Sequence, residues 1–390
     1  MRVGRLTNAS RSVAWRVWAT CTALLLGACY EPLGDGNGRA AIVWRDVSNA
    51  LTRPALVDSL AVFGTYDGRV VAYQRETGSV VWSRRLSNDF WGRELTYVAG
   101  HIIVPEYELW ALSPVNGATQ WRYPGPDGLA GAIEPTIVGD TLFIGTGGGW
   151  AVALNAQTGT ELWRTDLEEA AFQPAVGNDL VVFGTRSFLG AGPREGPLGA
   201  GHVIALRRSD GSEAWRFAIP DSAGFPVSGG AVNGGVIWQD RVIVGSRSAR
   251  IYALRLSDGA LLWERTGGSP GSAYYGTRPT VLGETAMMLR GDGLLEARSA
   301  ATGDVVWSRS IGTNAAADPV VRNGMVYAVG LSIWAFTEGG SVVWRWGGWP
   351  DGQPTFSSEP AFGENGLLYM IGSEPDVLEL IAYAFRPPRQ

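Results

Sequence analysis

The stretch Ala151–Trp163, AVALNAQTGTELW, decides the fold. Its first half alternates apolar side chains, a Thr-Gly pair interrupts the pattern at Gly159, and a second short run ends at Trp163. A period of two residues is typical of a β-strand, and glycine supplies the positive φ that tight hairpin turns need. The stretch therefore predicts two antiparallel strands joined by a hairpin.

This unit recurs along the chain in a fixed register. A glycine stands four residues before a tryptophan in seven copies: Gly78/Trp82, Gly117/Trp121, Gly159/Trp163, Gly211/Trp215, Gly259/Trp263, Gly303/Trp307 and Gly340/Trp344. An eighth tryptophan, Trp44, has no hairpin before it, whereas the run 378–385 has the first strand of the unit and then stops. The two incomplete copies complement each other.

Successive tryptophans lie 37 to 52 residues apart, by subtraction of their numbers, which is the spacing of four-stranded propeller blades. The sequence thus predicts an all-β protein, an eight-bladed β-propeller of four-stranded antiparallel blades. The N-terminal strand around Trp44 closes the ring and removes an open sheet edge. We expect the eight tryptophans to pack between blades and to bind nothing: Trp44, Trp82, Trp121, Trp163, Trp215, Trp263, Trp307 and Trp344.

The composition agrees with one large repeat domain and excludes nucleic acid as a partner class. The chain has 390 residues with 54 glycines and 17 tryptophans, which suits many turns and one repeated aromatic residue. Its formal net charge of −5 provides no basic surface for nucleic acid.

The N-terminal segment predicts an exported lipoprotein. Several arginines precede an apolar run, Val17 to Ala28, that is too short to span a bilayer with ease. The sequence at 26–29 resembles a bacterial lipobox, which predicts a signal peptide at 1–28 and lipidation of Cys29. Cleavage would leave Cys29 as the one cysteine, so no disulfide forms. We expect a flexible tether at 29–40, the propeller at 41–386 and a tail at 387–390. An ordinary signal peptide and a membrane anchor are the alternatives.

Departures from the repeat predict a binding face. Propeller topology places the inter-blade connections and the insertion 186–201 at one end, opposite the glycine turns, and aromatic residues in loops of a rigid scaffold are candidate binding residues. The alternative is that they cover the ends of the inter-blade core. The candidates are Phe90, Trp91, Phe188, Arg194, Phe225, Tyr274, Tyr275, Trp346 and Trp349.

A second set of polar residues stands at the start of the first strand of each blade, mostly just before a proline. Its members are Arg53, Glu94, Glu134, Gln173, Arg278, Asp318 and Glu359. In a closed ring they would form a polar collar at the mouth of the central channel. The collar is either a small-ligand site or a set of solvated strand starts. We expect charge reversal at Glu134 or Glu359 to leave folding nearly intact, and a large loss of stability would count against the collar.

The repeat A-L-x-x-x-[TDN]-G-x-x-x-W, with a proline-led strand before it, resembles the pyrroloquinoline-quinone (PQQ) type propeller repeat of quinoprotein dehydrogenases. Behind a lipobox, a propeller of this length is also similar to the BamB family of lipoproteins. That resemblance implies a scaffold on the periplasmic side of the outer membrane that docks onto a BamA-like partner of the β-barrel assembly machinery. It implies no activity and no cofactor.

The enzyme alternative requires groups that the sequence does not supply together. The resemblance to quinoprotein dehydrogenases implies a vicinal cysteine pair, calcium and PQQ, but the mature chain has no cysteine pair and no acidic spacing typical of a calcium or other metal site. His101 and His202 are far apart in sequence and predict no catalytic triad. A PQQ-repeat enzyme or calcium binder therefore remains the first alternative, and a carbohydrate- or peptide-binding propeller the second.

Overall fold

A computed structural model describes eleven parts of the chain, and all structural statements below refer to them. They are residues 40–87, 94–126, 134–186, 201–220, 232–246, 248–267, 277–312, 317–348, 354–374, 377 and 379–387. The regular elements in these parts are β-strands. No apolar helix long enough to cross a membrane occurs within these ranges.

Eight antiparallel sheets of four strand positions each form the blades, which confirms the predicted all-β propeller. Successive strands in the chain are neighbours in the sheet, because short hairpins connect them. Blade one contains β2 (Ala55–Val57), β3 (Leu60–Gly64), β4 (Arg69–Gln74) and β5 (Val80–Arg85). Blade two contains β6 (Thr96–Val98), β7 (His101–Pro105), β8 (Leu109–Leu112) and β9 (Thr119–Tyr123). Blade three contains β10 (Thr136–Val138), β11 (Thr141–Gly145), β12 (Trp150–Asn155) and β13 (Glu161–Asp166).

In blade four the innermost position is divided between two short strands. It contains β14 (Ala170–Ala171), β15 (Ala175–Val176), β16 (Leu180–Arg186), β17 (Gly201–Arg207) and β18 (Glu213–Ile219). Blade five contains β19 (Val232–Trp238), β20 (Arg241–Ser246), β21 (Arg250–Arg255) and β22 (Leu261–Thr266). Blade six contains β23 (Thr280–Leu282), β24 (Thr285–Leu289), β25 (Leu294–Ser299) and β26 (Val305–Ser310). Blade seven contains β27 (Val320–Arg322), β28 (Met325–Val329), β29 (Ile333–Phe336) and β30 (Val342–Trp346).

Blade eight combines both ends of the propeller, as the two incomplete repeats predict. Its strands are β31 (Thr355–Phe356), β32 (Ala361–Phe362), β33 (Leu368–Ser373), β34 (Ile381–Arg386) and β1 (Ala41–Val47). The outermost strand β1 pairs with β34 antiparallel, with Trp44 opposite Ala384. The N-terminal strand therefore closes the ring.

The eight tryptophans pack between blades, seven of them in one repeated geometry. An alanine on the third strand of each blade lies opposite the tryptophan on the fourth, as in Ala153↔Trp163. The glycine of the next blade lies against the indole ring: a Cβ added to any of the seven hairpin glycines would come within 2.5 to 2.8 Å of that ring. These glycines also have φ between 70° and 79°, so each serves the turn and the packing at once.

Each of the first seven indoles also donates one hydrogen bond to the next blade. Nε1 bonds a turn carbonyl two or three residues before the glycine, at 2.7 to 3.3 Å. The acceptors are the carbonyls of Arg75, Pro114, Ala156, Arg208, Leu256, Ala300 and Glu338. The indole thus satisfies its polar group while the ring fills the space between blades.

The second strand of each blade lies in the core, which its dense apolar sequence predicts. Strands such as β7 and β24 are buried at every position. Apolar clusters join neighbouring blades: one of them combines Val62 of blade one with Ile102 of blade two. Burial on both faces explains why these runs do not alternate with polar residues.

Candidate functional site

The seven polar residues predicted at the channel mouth stand at the openings of seven blades, which together we call the collar. Consecutive strands of a blade are antiparallel, so the start of the first strand lies at the end opposite the third-to-fourth-strand turn. We refer to these two ends as the collar end and the glycine-turn end. The structure joins six of the seven collar side chains through direct ion pairs, in two groups.

Arg53 is the centre of the first group. Its Nε lies 3.0 Å from Glu94 Oε2, its Nη2 2.9 Å from Glu134 Oε1 and its Nη1 2.8 Å from Glu359 Oε2. The three carboxylates come from blades two, three and eight, whereas Arg53 opens blade one. One guanidinium, with its fork of donors in fixed directions, therefore connects four blades.

Arg278 and Asp318 form the second group and connect it to the first. Arg278 donates to Asp318 through both its backbone N–H and its Nε, each at 2.7 Å. The backbone N–H of Asp318 in turn donates to Glu359 Oε1 at 3.2 Å. Glu359 therefore accepts from blade one with one oxygen and from blade seven with the other.

The collar position of blade five is a glycine, which the sequence pattern did not reveal. A Cβ on Gly234 would lie 2.4 Å from Arg278 Cδ and 2.9 Å from the carbonyl oxygen of Gln173. Gly234 therefore lies between the collar residues of blades four and six. Its missing side chain leaves the space that the aliphatic part of Arg278 fills.

Burial and charge change the proton affinity of these groups. Burial, and then the charge of Asp318, raise the pKa of Glu359 to about 8. Burial and the neighbouring Glu134 raise the pKa of Glu94 well above its usual range. Burial lowers the pKa of Arg53, but the carboxylates of Glu94, Glu134 and Glu359 together raise it above its ordinary value. The four acids and two bases of the collar thus form one electrostatic system.

The collar is not a set of solvated strand starts. Glu359 is 5 % exposed and is bonded through both oxygens, so we no longer expect its charge reversal to leave folding intact. The Arg53 guanidinium also occupies the point where three carboxylates meet, so these donors do not fit a calcium ion, which needs six to eight oxygen ligands. No cluster of three or more His, Cys, Asp or Glu in the described parts of the chain is arranged to hold a metal ion.

Most residues predicted for the binding face lie outside the described residues, as does Cys29. They are Phe90, Trp91, Phe188, Arg194, Phe225, Tyr274, Tyr275 and Trp349. The ninth, Trp346, packs inside the contact of blades seven and eight. Its ring centroid lies 4.4 Å from that of Phe385 and 5.2 Å from that of Phe356. This position favours the alternative in which loop aromatics cover the ends of the core.

Two exposed tyrosines at the collar end escaped the sequence reasoning. Tyr66 and Tyr107 stand in the second-to-third-strand turns of blades one and two and are 64 % and 55 % exposed. An aromatic residue in a short turn after an apolar strand was the signal that could have identified them. Exposed tyrosine offers both apolar area and a hydroxyl to a protein partner.

The two histidines take no part in the collar. His101 is buried, and its Nε2 lies 3.2 Å from the carbonyl oxygen of Gln157. His202 Nδ1 lies 2.7 Å from Glu169 Oε1, and the other oxygen of Glu169 accepts from the Thr185 hydroxyl. Thr185 is fully buried, and its hydroxyl contacts Glu169 and the backbone of His202, so it is not accessible to a substrate as a nucleophile.

Comparison with protein families assigns almost the whole chain to one of them. The family model described as "Outer membrane protein assembly factor BamB" matches residues 1–181, 199–313 and 275–380. These three matches include all eight repeat tryptophans, from Trp44 to Trp344.

Relatives of two kinds are similar to parts of the chain. Outer membrane protein assembly factor BamB of Yersinia pestis is 26 % identical over 228 residues, which are 55 % of this chain and 56 % of that protein. Quinoprotein alcohol dehydrogenase PedH of Pseudomonas putida is 27 % identical over 199 residues, 45 % of this chain and 31 % of that enzyme. The chain therefore spans less than two thirds of the length of either relative.

Solved structures agree on the fold. The crystal structure of BamB from Moraxella catarrhalis superimposes with a TM-score of 0.62 at 15 % identity, covering 89 % of this chain and 98 % of that one. At this identity the likeness concerns the propeller itself and not its ligands.

Proposed function

Because the chain belongs to the PQQ-like repeat family described as outer membrane protein assembly factor BamB, we propose that it is a non-enzymatic, lipid-anchored scaffold that assists outer-membrane β-barrel assembly. In this proposal it works from the periplasmic side of the outer membrane, attached through Cys29, and binds a BamA-like component. The observation that carries the proposal is the family match, which runs through nearly all of the chain.

The chemistry of the collar supports a binding role over a catalytic one. A catalytic acid or base must be free to exchange a proton with a substrate. Glu134, Glu359 and Asp318 instead contact Arg53 or Arg278 of other blades, so these carboxyl groups connect the blades of the ring. We therefore propose that the protein works without PQQ or calcium.

Co-purification tests the proposal. The lipidated protein is extracted gently from its native membranes, and its bound proteins are identified by mass spectrometry. A barrel-assembly component in stoichiometric amount is the expected result. Its absence, together with unchanged levels of outer-membrane barrel proteins in a deletion strain, would reject the assembly role.

The second candidate is a PQQ-dependent alcohol dehydrogenase, which the similarity to PedH favours. Purified protein would then carry a redox-active chromophore, or acquire one when PQQ and calcium are added, and would oxidise alcohols. A featureless visible spectrum and no bound calcium are expected under our proposal. The collar geometry supports this expectation, because a cation at the point where the three carboxylates meet would have to displace the Arg53 guanidinium.

A further inference from the structure

The outer rim of the propeller is more apolar on one side than on the other, where each blade has at least one polar residue at the equivalent places although Leu162 of blade three is 54 % exposed. We compare the two residues just before each tryptophan, which we call the rim pair; they occupy equivalent places near the start of each fourth strand. In five consecutive blades, five to eight and then one, both members are apolar: Leu261/Leu262, Val305/Val306, Val342/Val343, Ile42/Val43 and Val80/Val81. In blades two to four the pairs are Thr119/Gln120, Glu161/Leu162 and Glu213/Ala214.

Several members of the apolar pairs are exposed. Val305 and Val306 are 51 % and 57 % exposed, and Val80 is 56 % exposed. Ile42 is 41 % exposed, whereas the pair of blade seven is half-buried. Single exposed apolar residues need no explanation, but equivalent ones in blades five, six, eight and one, on either side of the half-buried pair of blade seven, form an apolar arc that indicates a contact surface.

The predicted lipid anchor precedes a strand that belongs to the apolar arc, which suggests a lipid surface as the partner of the arc. Ile42 and Val43 belong to β1, the strand that follows the tether, and Cys29 lies twelve residues before Ala41. At ~3.3–3.6 Å per residue, a tether of this length reaches roughly 40 Å when fully extended. The tether therefore enters the propeller at blade eight, and this blade belongs to the apolar arc.

We propose that the apolar arc of the rim rests against the phospholipid bilayer, so that the propeller is tilted with blades seven and eight towards the lipid and blades two to four away from it. This inference rests on the lipid anchor of the proposed function. The apolar side chains enter the interface between headgroups and acyl chains, where their burial is favourable. The polar rim of blades two to four then faces the aqueous side and is accessible to a protein partner.

Equivalent rim positions provide a matched test. The full-length lipidated protein is reconstituted into vesicles of phosphatidylethanolamine and phosphatidylglycerol, with an environment-sensitive fluorophore on Val306→Cys or, as the control, on Gln120→Cys. Both positions are exposed, so labelling should not disturb folding. Brominated phospholipids then report contact with the acyl chains.

The expected result is at least twofold stronger quenching at position 306 than at position 120, with a blue-shifted emission only at 306. Equal quenching at both positions, or none at 306 on protein that floats with the vesicles, overturns the tilt and leaves the assembly role intact. A blue shift without quenching indicates a protein cover, such as a second copy, and also overturns it. Protein that does not float, and that labels without an introduced cysteine, rejects the anchor on which both proposals depend.

Discussion

The two ends of the propeller differ in how regularly their contacts repeat: the glycine-turn end repeats one contact, whereas the collar end makes different contacts in each blade. At the glycine-turn end, seven blades repeat one contact, in which an indole lies on the next blade's glycine and donates to a turn carbonyl. At the collar end, eight equivalent positions hold arginine, glutamate, glutamine, aspartate and glycine, and no two blades make the same contacts.

This difference separates contacts between neighbouring blades, which every blade makes, from contacts across the ring, which are particular to this protein. Neighbouring blades meet in the same geometry seven times, so the same tryptophan–glycine contact can be repeated at each of these interfaces. The collar side chains approach one another across the ring, so each must suit several blades at once. Arg53 contacts Glu134 of blade three as well as its neighbours, and a repeat cannot encode such a contact.

The largest expected effect is at the repeated end. Trp163→Ala should lower the free energy of unfolding by about 3–5 kcal/mol, because the residue is only 8 % exposed and its neighbours cannot refill the cavity between blades three and four. Denaturant unfolding measures this loss. A loss below about 1 kcal/mol would mean that the tryptophans do not hold the blades together.

The next effect separates packing from turn strain. Gly211→Ala forces a left-handed alanine and places its Cβ 2.6 Å from Trp163 Cε3, whereas Gly100→Ala has φ +80° and no neighbour within 4 Å. We expect roughly 1–2 kcal/mol of destabilisation at position 100 from the backbone alone and roughly 2–4 kcal/mol at 211. Equal losses in thermal or denaturant unfolding would show that the indole contact contributes nothing.

At the collar, removal of the central cation is expected to cost less. Arg53→Gln leaves three carboxylates facing one another and should lower the free energy of unfolding by roughly 2–3 kcal/mol. This is less than the effect of breaking a fully buried ion pair, because the Arg53 side chain is 24 % exposed. Adding Glu134→Gln should recover part of it, since one repulsive charge is removed. A double-mutant cycle in which the two losses simply add would argue against a coupled network.

The pH dependence of stability tests Glu359 directly. Its pKa is raised to about 8 in the folded state, so the folded protein binds a proton that the unfolded chain releases near its ordinary value of 4.5. The contribution of protonated Glu359 to the free energy of unfolding is fully present below pH 4.5 and is lost as the pH rises through about 8. The loss is up to about 1.4 kcal/mol per pH unit. Glu359→Gln, which resembles the protonated form, should flatten the curve over that range.

The control for this titration is Glu284→Gln, at an exposed position on the β23–β24 turn. It should leave the slope of stability against pH as it is in the parent protein. If Glu359→Gln and Glu284→Gln gave superimposable curves, the collar carboxylate would not be the source of the pH dependence.

The smallest effect on stability is expected at the exposed tyrosines. Tyr66→Ala should change the free energy of unfolding by no more than about 0.5 kcal/mol, because the side chain is 64 % exposed. Its effect should appear instead in the amount of assembly partner that co-purifies. A decrease of more than about 1 kcal/mol in the free energy of unfolding would indicate that Tyr66 stabilises the collar end and is not part of a docking surface.

The sequence predicted the repeated end almost completely. The spacing of Gly159 and Trp163 indicates the hairpin, and the incomplete copies at Trp44 and 378–385 indicate the closure through β1. These features are local or periodic, so a linear pattern contains them. The same alignment of repeats also located the collar positions, because each precedes its blade's first strand.

What the sequence did not predict depends on distances across the ring. The pairing of Arg53 with Glu134 and Glu359 joins residues 81 and 306 positions apart. The role of Gly234 depends on the path of the Arg278 side chain, and the position of Trp346 depends on its packing against Phe385 of the next blade. A period in the sequence carries no information on such contacts.

Photo-crosslinking from the two ends of one blade tests the central claim most directly. A photoreactive phenylalanine analogue replaces Tyr107 at the collar end of blade two or, as the control, Val115 in its glycine turn, which is 78 % exposed. We predict a crosslink to a barrel-assembly component from position 107 and none from position 115 in native membranes. Crosslinks from position 115 alone would place the working face at the repeated end and contradict the account.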